Sequence, residues 1–474
     1  MGIYTGSSVI LKAGAIILIP LYTKFLTPDQ YGIMSLIAAI MSIILSITYL
    51  GLDESLKRYW VNVEDNRNLH KSMMSTIITS YLIWAIIFLG IFYILQKWII
   101  GALINDYEAI ADYLPIGYAI IFFSFFQKIL KDVFIYEGKS ITFSYFNILQ
   151  LIISVILSVI AVGYFNLELW GIYSVNLFIN LSIAIIGIFY LKKYLFGKIS
   201  IISLKKYLQF GIPLIPHVLS FTLLAVIGRI ILEKHVLLST LGIFGLGYTL
   251  GSSVDLIGKG FRRAFNPTFL RKTEKEYRDN KLNNFYINFG KEYFPKILVC
   301  FLSLYFLYFL WIKEVCLVLI KNSDYFECYN IIPILIIGYM FIIISNVLKM
   351  VLFYEKHTKH ITSTTVISAL INIILCLLLI PLWGIYGAAI SITISLILRS
   401  IMIMLLVVRI SKMKINYLKL SGFFFLAISC VGITFYIDKA NFYFSPTIIL
   451  FKIIISIIIL YIIFFKIIKN YNLI

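Results

Sequence analysis

Residues 369–398 read ALINIILCLLLIPLWGIYGAAISITISLIL and contain no charged side chain. One membrane-spanning helix needs about 20 apolar residues, so this stretch is too long for a single span. Pro381 and Gly384 interrupt it near its middle, where proline removes a backbone donor and glycine weakens a helix. The stretch therefore predicts two transmembrane helices joined by a tight turn.

The rest of the chain has the same apolar character. Its 474 residues are 61% hydrophobic and 13% charged, with a mean hydropathy of +0.97. Soluble domains are about 45–50% apolar, so soluble enzymes, disordered chains and disulfide scaffolds are excluded. The five cysteines form no C-x-x-C pair, and we predict no metal or redox site and no cofactor.

Cutting the sequence at its charged and Pro/Gly-rich breaks predicts an all-α polytopic membrane protein with fourteen transmembrane helices. The predicted spans are 6–26, 31–51, 73–95, 113–135, 141–163, 169–190, 207–228, 238–258, 293–312, 330–353, 361–381, 384–408, 418–437 and 446–468.

Basic residues test this count, because they concentrate in cytoplasmic loops. Loops after even-numbered spans carry 29 lysines and arginines, whereas loops after odd-numbered spans carry 7. Both termini are therefore predicted to be cytoplasmic. The net charge of +19 is explained by membrane orientation, and we expect no nucleic-acid partner. The longest loop, residues 259–296, leaves no room for a nucleotide-binding domain.

An internal repeat divides the chain. The turn Trp170-Gly171-Ile172-Tyr173 recurs as Trp383-Gly384-Ile385-Tyr386, and other short matches recur at similar offsets. An even number of spans separates the copies, which predicts parallel repeats. The predicted domains are an N-terminal lobe at 1–195, a C-terminal lobe at 196–412 and two extra helices at 413–474.

Matching helix breaks occur at the start of both lobes. The first span contains Gly14 and Pro20, and the seventh contains Gly211, Pro213 and Pro216. Interrupted helices at corresponding positions mark binding sites in repeat-built transporters. These five residues are predicted helix-break or gating positions.

Most of the charged residues predicted within spans are basic. A charge at mid-bilayer costs roughly 2.5–3.5 kcal/mol, so it usually faces a cavity or a partner. Lys12, Arg229, Arg399 and Lys128 are predicted to contact an anionic substrate, and Asp255 to form a salt bridge or couple an ion. Snorkelling to the headgroups is favoured for Lys131, Lys349 and Lys452.

Uncharged amides also align within the spans. Asn176 and Asn180 lie one helical turn apart and could bind sugar hydroxyls. Such amides also join membrane helices through hydrogen bonds, and the sequence leaves both roles open.

Several motifs resemble one known family. They are Leu18-Ile-Pro-Leu-Tyr-Thr-Lys-Phe-Leu-Thr-Pro-Asp-Gln-Tyr-Gly32, Gly51-Leu-Asp-Glu-Ser-Leu-Lys-Arg-Tyr59, Gly211-Ile-Pro-Leu-Ile-Pro216, the stretch 241–247 and Asn266-Pro267. In this order they resemble the polysaccharide-transporter (Wzx-type) flippases of O-antigen and capsule synthesis, within the MATE-like multidrug/oligosaccharidyl-lipid/polysaccharide (MOP) exporter superfamily.

The resemblance implies a fold and a substrate. The expected fold has two six-helix lobes around a cationic cavity that opens alternately to each side of the bacterial inner membrane. The expected substrate is an undecaprenyl-pyrophosphate-linked oligosaccharide repeat unit, moved from the cytoplasmic to the outer leaflet by a monomer among membrane lipids. Polysaccharide-synthesis proteins are expected partners, and either the membrane potential or H⁺/Na⁺ coupling could drive transport.

Two other functions stay open at this stage. A multidrug/cation antiporter could share the fold, although a cationic substrate favours more acidic residues than are found here. A polytopic glycan polymerase or ligase needs a sizeable extracytoplasmic loop with catalytic arginine or histidine. The predicted outward loops are short, and the longest, 97–112 and 313–330, contain no histidine. No enzymatic activity is therefore predicted.

Overall fold

The computed structural model describes residues 14, 16–60, 67–440 and 445–461, without the side chains of Arg67, Arg263 and Ala264. Within these residues the regular structure is helical, and none of them forms a β-strand. Lys12 lies outside the described residues.

The chain forms two compact units, residues 1–245 and 246–474. The α-helices of unit 1 are Ile19–Phe25, Pro28–Thr48, Leu52–Trp60, Arg67–Leu103, Tyr107–Ala111, Leu114–Tyr136, Ser140–Ser158, Glu168–Leu191, Ile201–Gly211 and Ile215–Glu233. Helix Leu238–Ser253 contains the boundary between the units. The predicted lobe division at 195/196 stays a prediction.

The α-helices of unit 2 are Asp255–Arg278, Leu282–Asn288, Phe294–Leu310, Ile312–Leu319, Ile332–Tyr354, Thr358–Ser411, Tyr417–Ala440 and Pro446–Tyr461. The prediction of a loop over residues 259–296 is wrong. Helix Asp255–Arg278 occupies its first half, because apolar side chains such as Phe265 and Phe269 recur one turn apart and pack on Phe289.

Ten helices within the described residues are long and apolar enough to cross a membrane. The protein is therefore a multi-pass helical membrane protein, and the count of fourteen stays a prediction. The two counts diverge partly because helix Thr358–Ser411 covers two predicted spans. Gly384 breaks that helix with φ 52° and ψ −126°, a conformation that favours glycine over residues with a Cβ.

Sequence chemistry explains where helix Pro28–Thr48 begins. Thr27 precedes the helix, and its hydroxyl accepts a hydrogen bond from the Gln30 backbone N–H at 3.3 Å. The Gln30 side chain in turn accepts from the Thr27 backbone N–H at 3.0 Å. This reciprocal capping satisfies two backbone donors that the first helical turn leaves unpaired.

A short helix, Leu52–Trp60, connects two longer elements of unit 1, and we call it the connector helix. Gly51 precedes it with φ +68° and touches Gly211, where a Cβ would lie 2.7 Å from the Gly51 carbonyl oxygen. Ser55 Oγ donates to the Tyr207 carbonyl at 2.7 Å. The connector helix is therefore fastened to the end of helix Ile201–Gly211.

The other side of the connector helix contacts helix Leu114–Tyr136. Lys128 Nζ lies 3.8 Å from Asp53 Oδ2. The rings of Trp60 and Tyr136 stack with centroids 5.2 Å apart. One charged and one aromatic contact thus hold these helices together.

Candidate functional site

Asp255 is the first residue of helix Asp255–Arg278, and two basic side chains of the same helix surround its carboxylate. Lys259 Nζ lies 2.8 Å from Asp255 Oδ2, and Arg262 Nη1 lies 3.5 Å from Oδ1. Residues four and seven positions apart share one helix face, which brings the three side chains together. Asp255 is buried, whereas the Lys259 side chain is 40% exposed, so this group of charges extends from the interior to the surface.

Two more cations reach this point from other helices of unit 2. Arg399 is 5% exposed and interacts electrostatically with Arg262 and Asp255. Lys349 interacts with these two residues and with Arg399. We call Asp255, Lys259, Arg262, Lys349 and Arg399 the basic cluster.

The basic cluster carries a surplus of positive charge. It has four cationic side chains and one carboxylate. Buried charges are normally paired, because each loses its hydration, and an unbalanced group costs free energy unless another charge joins it. The chemistry of the cluster therefore fits an anion with more than one negative charge.

A glycine and a tyrosine complete the surroundings of Asp255. A Cβ on Gly258 would lie 2.9 Å from the Tyr305 hydroxyl and 3.2 Å from Asp255 Oδ1. The Tyr305 hydroxyl is buried and makes no hydrogen bond to any described residue. Glycine at position 258 thus leaves room for a hydroxyl group that can donate to an incoming oxygen atom.

A second charged group in unit 2 contains equal numbers of lysines and carboxylates. Lys452 Nζ lies 2.9 Å from both Glu314 Oε1 and Asp438 Oδ1, and Lys313 Nζ lies 3.4 Å from Asp438 Oδ1. The Tyr329 hydroxyl donates to Asp438 Oδ2 at 3.3 Å. We call Lys313, Glu314, Asp438 and Lys452 the neutral cluster.

The prediction that Lys452 snorkels to the headgroups is wrong, because this residue belongs to the neutral cluster. Its side chain is only 3% exposed and is held by two carboxylates. It belongs to helix Pro446–Tyr461, which also receives a hydrogen bond from Trp311 Nε1 to Ser456 Oγ at 3.0 Å. Buried pairing therefore fixes the last described helix to unit 2.

Two predicted anion contacts, Lys128 and Arg229, belong to unit 1. Lys128 is paired with Asp53, and Arg229 is half-buried near the end of helix Ile215–Glu233. Among the predicted anion contacts that the structure describes in unit 2, Arg399 lies in the basic cluster, together with Asp255. The roles of the others stay predictions.

The two predicted sugar-binding amides hydrogen-bond to their own helix. Asn176 Nδ2 donates to the Ile172 carbonyl at 3.0 Å, and Asn180 Nδ2 donates to the Asn176 carbonyl at 2.9 Å. Asn180 is buried, and its Oδ1 accepts no hydrogen bond from a described residue. One acceptor on Asn180 is thus available, and sugar binding stays a prediction.

The predicted helix breaks lie at changes of backbone structure. Ile201–Gly211 is α-helical, Ile212–Leu214 forms a 3₁₀ turn around Pro213, and Ile215–Glu233 begins with Pro216 in its first turn. Gating by these residues stays a prediction.

The first predicted break is described only from Gly14 onward. Pro20 lies in the first turn of helix Ile19–Phe25, and the Leu18 N–H donates to the Gly14 carbonyl at 3.1 Å. A Cβ on Gly14 would collide with Leu151, so this glycine permits close helix packing.

Sequence reasoning missed Lys259, Arg262 and Tyr305 as site residues. The first two were expected in a loop, although the spacing from Asp255 to Lys259 and Arg262 already matches one helix face. Tyr305 gave no signal, because it lies in an aromatic, apolar span of ordinary composition.

Long apolar helices and a partly buried group of charges with a positive surplus define the class: a multi-pass helical membrane protein with a basic site. The sequence profile of the family described as polysaccharide biosynthesis protein matches residues 1–258, more than half of the chain. The chain belongs to this family. No curated protein matches it in sequence.

Solved structures show the fold. The lipid II flippase MurJ in an inward closed conformation is 16% identical with a TM-score of 0.71, covering 98% of this chain and 99% of its own. An inward-facing multidrug resistance MATE family transporter of the MOP superfamily is 14% identical with a TM-score of 0.68, covering 87% and 98%.

A MOP superfamily transporter from Pyrococcus furiosus, described as having a binding pocket of reversed polarity, is 15% identical with a TM-score of 0.52. The match covers 87% of this chain and 95% of the transporter. The protein therefore has the MOP-superfamily transporter fold.

Proposed function

We propose that the protein is a flippase for undecaprenyl-pyrophosphate-linked oligosaccharide repeat units of O-antigen or capsular polysaccharide. It moves them from the cytoplasmic to the outer leaflet of a bacterial inner membrane by alternating access through a cationic cavity. Family membership and the MOP fold support transport in polysaccharide synthesis. The single observation that carries the choice of substrate is the positive surplus of the basic cluster.

A diphosphate matches the basic cluster chemically. Arg262 and Arg399 present planar guanidinium groups, which bind phosphate oxygens bidentately, and Lys259 and Lys349 add point charges. The bound diphosphate competes with Asp255 for Lys259 and Arg262. Asp255 therefore lowers the affinity of the site for the anion, which allows the anion to be released.

The remaining predicted residues keep their roles within this proposal. Lys12, Arg229 and Lys128 are further anion contacts, and Asn176 and Asn180 contact the sugar. The helix-break residues are Gly14, Pro20, Gly211, Pro213 and Pro216, and they allow the lobes 1–195 and 196–412 to change state. Helices 413–474 are an addition to the lobes, and both termini are cytoplasmic.

The membrane potential favours this direction of transport. Moving about two negative charges outward across an inside-negative potential of about 100 mV releases roughly 4–5 kcal/mol, at about 2.3 kcal/mol per charge. The proposal therefore requires no ion gradient as an energy source, although one can regulate the cycle.

Proteoliposomes test the proposal. The purified protein is reconstituted with a fluorescently labelled undecaprenyl-pyrophosphate oligosaccharide, and a membrane-impermeant quencher reports the labelled lipid in each leaflet. We expect flipping faster than in protein-free vesicles, with acceleration by a potential of the correct sign. Indifference to the potential would contradict the proposed driving force.

The same vesicles distinguish the other functions. Proton-coupled exchange of a cationic drug without lipid flipping would establish the antiporter instead. Elongation of the oligosaccharide would establish a polymerase. A lipid-linked peptidoglycan precursor in the substrate panel tests the sugar specificity, because it shares the diphosphate and differs in the head group.

A further inference from the structure

A buried carboxylate in unit 1 has no assigned role. Asp132 lies in helix Leu114–Tyr136 and is 7% exposed, and its Oδ2 accepts no hydrogen bond from any described residue. A buried carboxylate oxygen without a hydrogen-bond donor is costly when the group is ionised in a medium of low dielectric constant. Such a group is stabilised when it binds a proton.

Charged groups from two helices face Asp132. Lys128 precedes it by one turn, and the connector helix supplies Asp53, Glu54 and Lys57. The neighbouring titratable side chains also include Tyr49, before the connector helix, and Tyr136, one turn after Asp132. Lys131 lies one turn after Lys128 and donates to Gln150 Oε1 at 2.9 Å, so it is engaged outside this group. Among the groups that act on Asp132, together with Asp132 itself, three carboxylates exceed two ammonium groups by one charge, which a single proton balances.

Both ammonium groups are already engaged by the other carboxylates. Lys57 forms an ion pair with Glu54, and Lys128 Nζ lies 3.8 Å from Asp53 Oδ2. Asp132 is the carboxylate left over. The observed pairing is therefore the arrangement expected when Asp132 carries the proton.

We propose that Asp132 is a proton-binding site and that its protonation controls the packing of the connector helix. The ionised carboxylate attracts Lys128 and Lys57 away from Asp53 and Glu54. The connector helix then loses the ion pair that fastens it to helix Leu114–Tyr136. Proton binding restores that pair.

The connector helix carries this change to the interrupted seventh span. Gly51, at its start, touches Gly211, and Arg58 lies with its guanidinium carbon 4.3 Å from the centre of the Phe210 ring. Gly211 directly precedes the 3₁₀ turn around Pro213. A proton at Asp132 thus acts on a predicted gating segment through contacts that the structure already contains.

The chemistry favours a proton over a metal ion. Lys57 and Lys128 lie beside the carboxylates and repel other cations. Within the part of the chain that the structure describes, no group of three or more histidine, cysteine, aspartate and glutamate side chains is placed to hold a metal.

Infrared spectroscopy of the whole protein in lipid tests the site directly. The carbonyl stretch of a protonated carboxylic acid is followed across a pH titration in the wild type, Asp132→Asn and the matched control Asp112→Asn, whose side chain is exposed. The chain has 22 acidic residues, so the three titrations are compared by difference. We expect one titrating component, shared by the wild type and the control, to be missing from Asp132→Asn. A wild-type titration that is unchanged in Asp132→Asn overturns the proposal.

Hydrogen–deuterium exchange tests the coupling. After correction for intrinsic exchange, raising the pH should increase exchange of the connector-helix amides severalfold in the wild type. Asp132→Asn, which fixes the neutral state, should stay protected at every pH. Equal pH responses in both proteins would overturn the coupling.

Two controls make this result specific. His70 contacts Trp60 of the connector helix with ring centroids 4.6 Å apart, so His70→Gln is measured in parallel and should keep the wild-type response. Loss of the response in His70→Gln alone would assign it to the imidazole. A response driven by Na⁺ at constant pH would also overturn the proposal. Neither readout needs a transported lipid, so failure of the proposed flipping leaves this test valid.

Discussion

Unit 2 contains two groups of charges that differ in balance and in burial. The neutral cluster joins two lysines to two carboxylates, with side chains between 0% and 11% exposed. The basic cluster places four cations around Asp255. A balanced group is complete without a ligand, whereas an unbalanced one is stabilised by an added anion. Charge balance therefore separates a cluster that holds helices together from one suited to bind a substrate.

The largest expected effect comes from breaking the balance of the neutral cluster. Asp438→Asn leaves Lys313 and Lys452 with Glu314 alone, so one buried positive charge loses its partner. We expect a loss of about 3–5 kcal/mol in unfolding free energy, measured by denaturant unfolding in detergent. Adding Lys313→Met to Asp438→Asn should recover most of it. No recovery would mean that Asp438 acts through hydrogen bonds instead of charge balance.

Removing a cation from the basic cluster should reduce transport and leave the stability of the protein nearly unchanged. Arg399→Gln should reduce flipping about tenfold or more, because a hydrogen bond to a charged group contributes about 1.5–3 kcal/mol. Its stability should be unchanged or slightly higher, since repulsion from Arg262 is relieved. Arg409→Gln, at an exposed position of the same helix, is the matched control. Normal flipping by Arg399→Gln would remove this residue from the site.

Removing the charge of Asp255 tests whether this carboxylate competes with the ligand for the cations of the basic cluster. Asp255→Asn frees Lys259 and Arg262 for the ligand, so we expect diphosphate to bind about fivefold more tightly, equivalent to about 1 kcal/mol. Slower release should reduce turnover. Competition by inorganic pyrophosphate against the labelled lipid measures the affinity. Weaker binding would indicate that Asp255 orients the two cations instead of competing for them.

An effect about as small is expected at Glu137, which follows helix Leu114–Tyr136 outside the predicted spans. Burial raises the pKa of its carboxyl, but hydrogen bonds from Lys139, Lys193, Tyr190 and Tyr194 outweigh it and lower the pKa to about 2. The pKa is below its unfolded value of about 4.3, so this stabilisation is complete above that pH and is lost as the pH falls toward 2.

Glu137→Gln therefore tests how much ion pairs with partly exposed partners contribute to stability. It should cost about 1 kcal/mol at pH 7, because solvent screens Lys139 and Lys193. The difference from the wild type should shrink in unfolding experiments below about pH 4. A loss of unfolding free energy as large as that of Asp438→Asn would show that burial does not distinguish the neutral cluster from the ion pairs of Glu137.

The sequence could predict the features that depend on local composition. Apolar runs predicted a helical membrane protein, and the Pro381 and Gly384 break coincides with the non-helical backbone at Gly384. The motifs that resemble polysaccharide transporters predicted the family correctly. These features need no knowledge of which helices are neighbours.

Partners distant in sequence could not be predicted. Lys452 and Glu314 are 138 positions apart, and a single sequence does not indicate that their helices touch. From the sequence alone, snorkelling to the headgroups explains Lys452 without a partner. Asp255 and Arg399 were recognised one by one, but their association with Lys349 depends on tertiary packing. Pairing and charge balance appear only when the helices are placed together.

The contact between Gly51 and Gly211 has an evolutionary consequence. Each glycine begins a motif, and the two motifs are far apart in the sequence, yet the two backbones meet with no space for a methyl group on Gly211. We therefore expect natural selection to act on the two positions together. Among relatives that keep this crossing, both should stay glycine, and a change at either one should accompany a shifted or lengthened turn at the other.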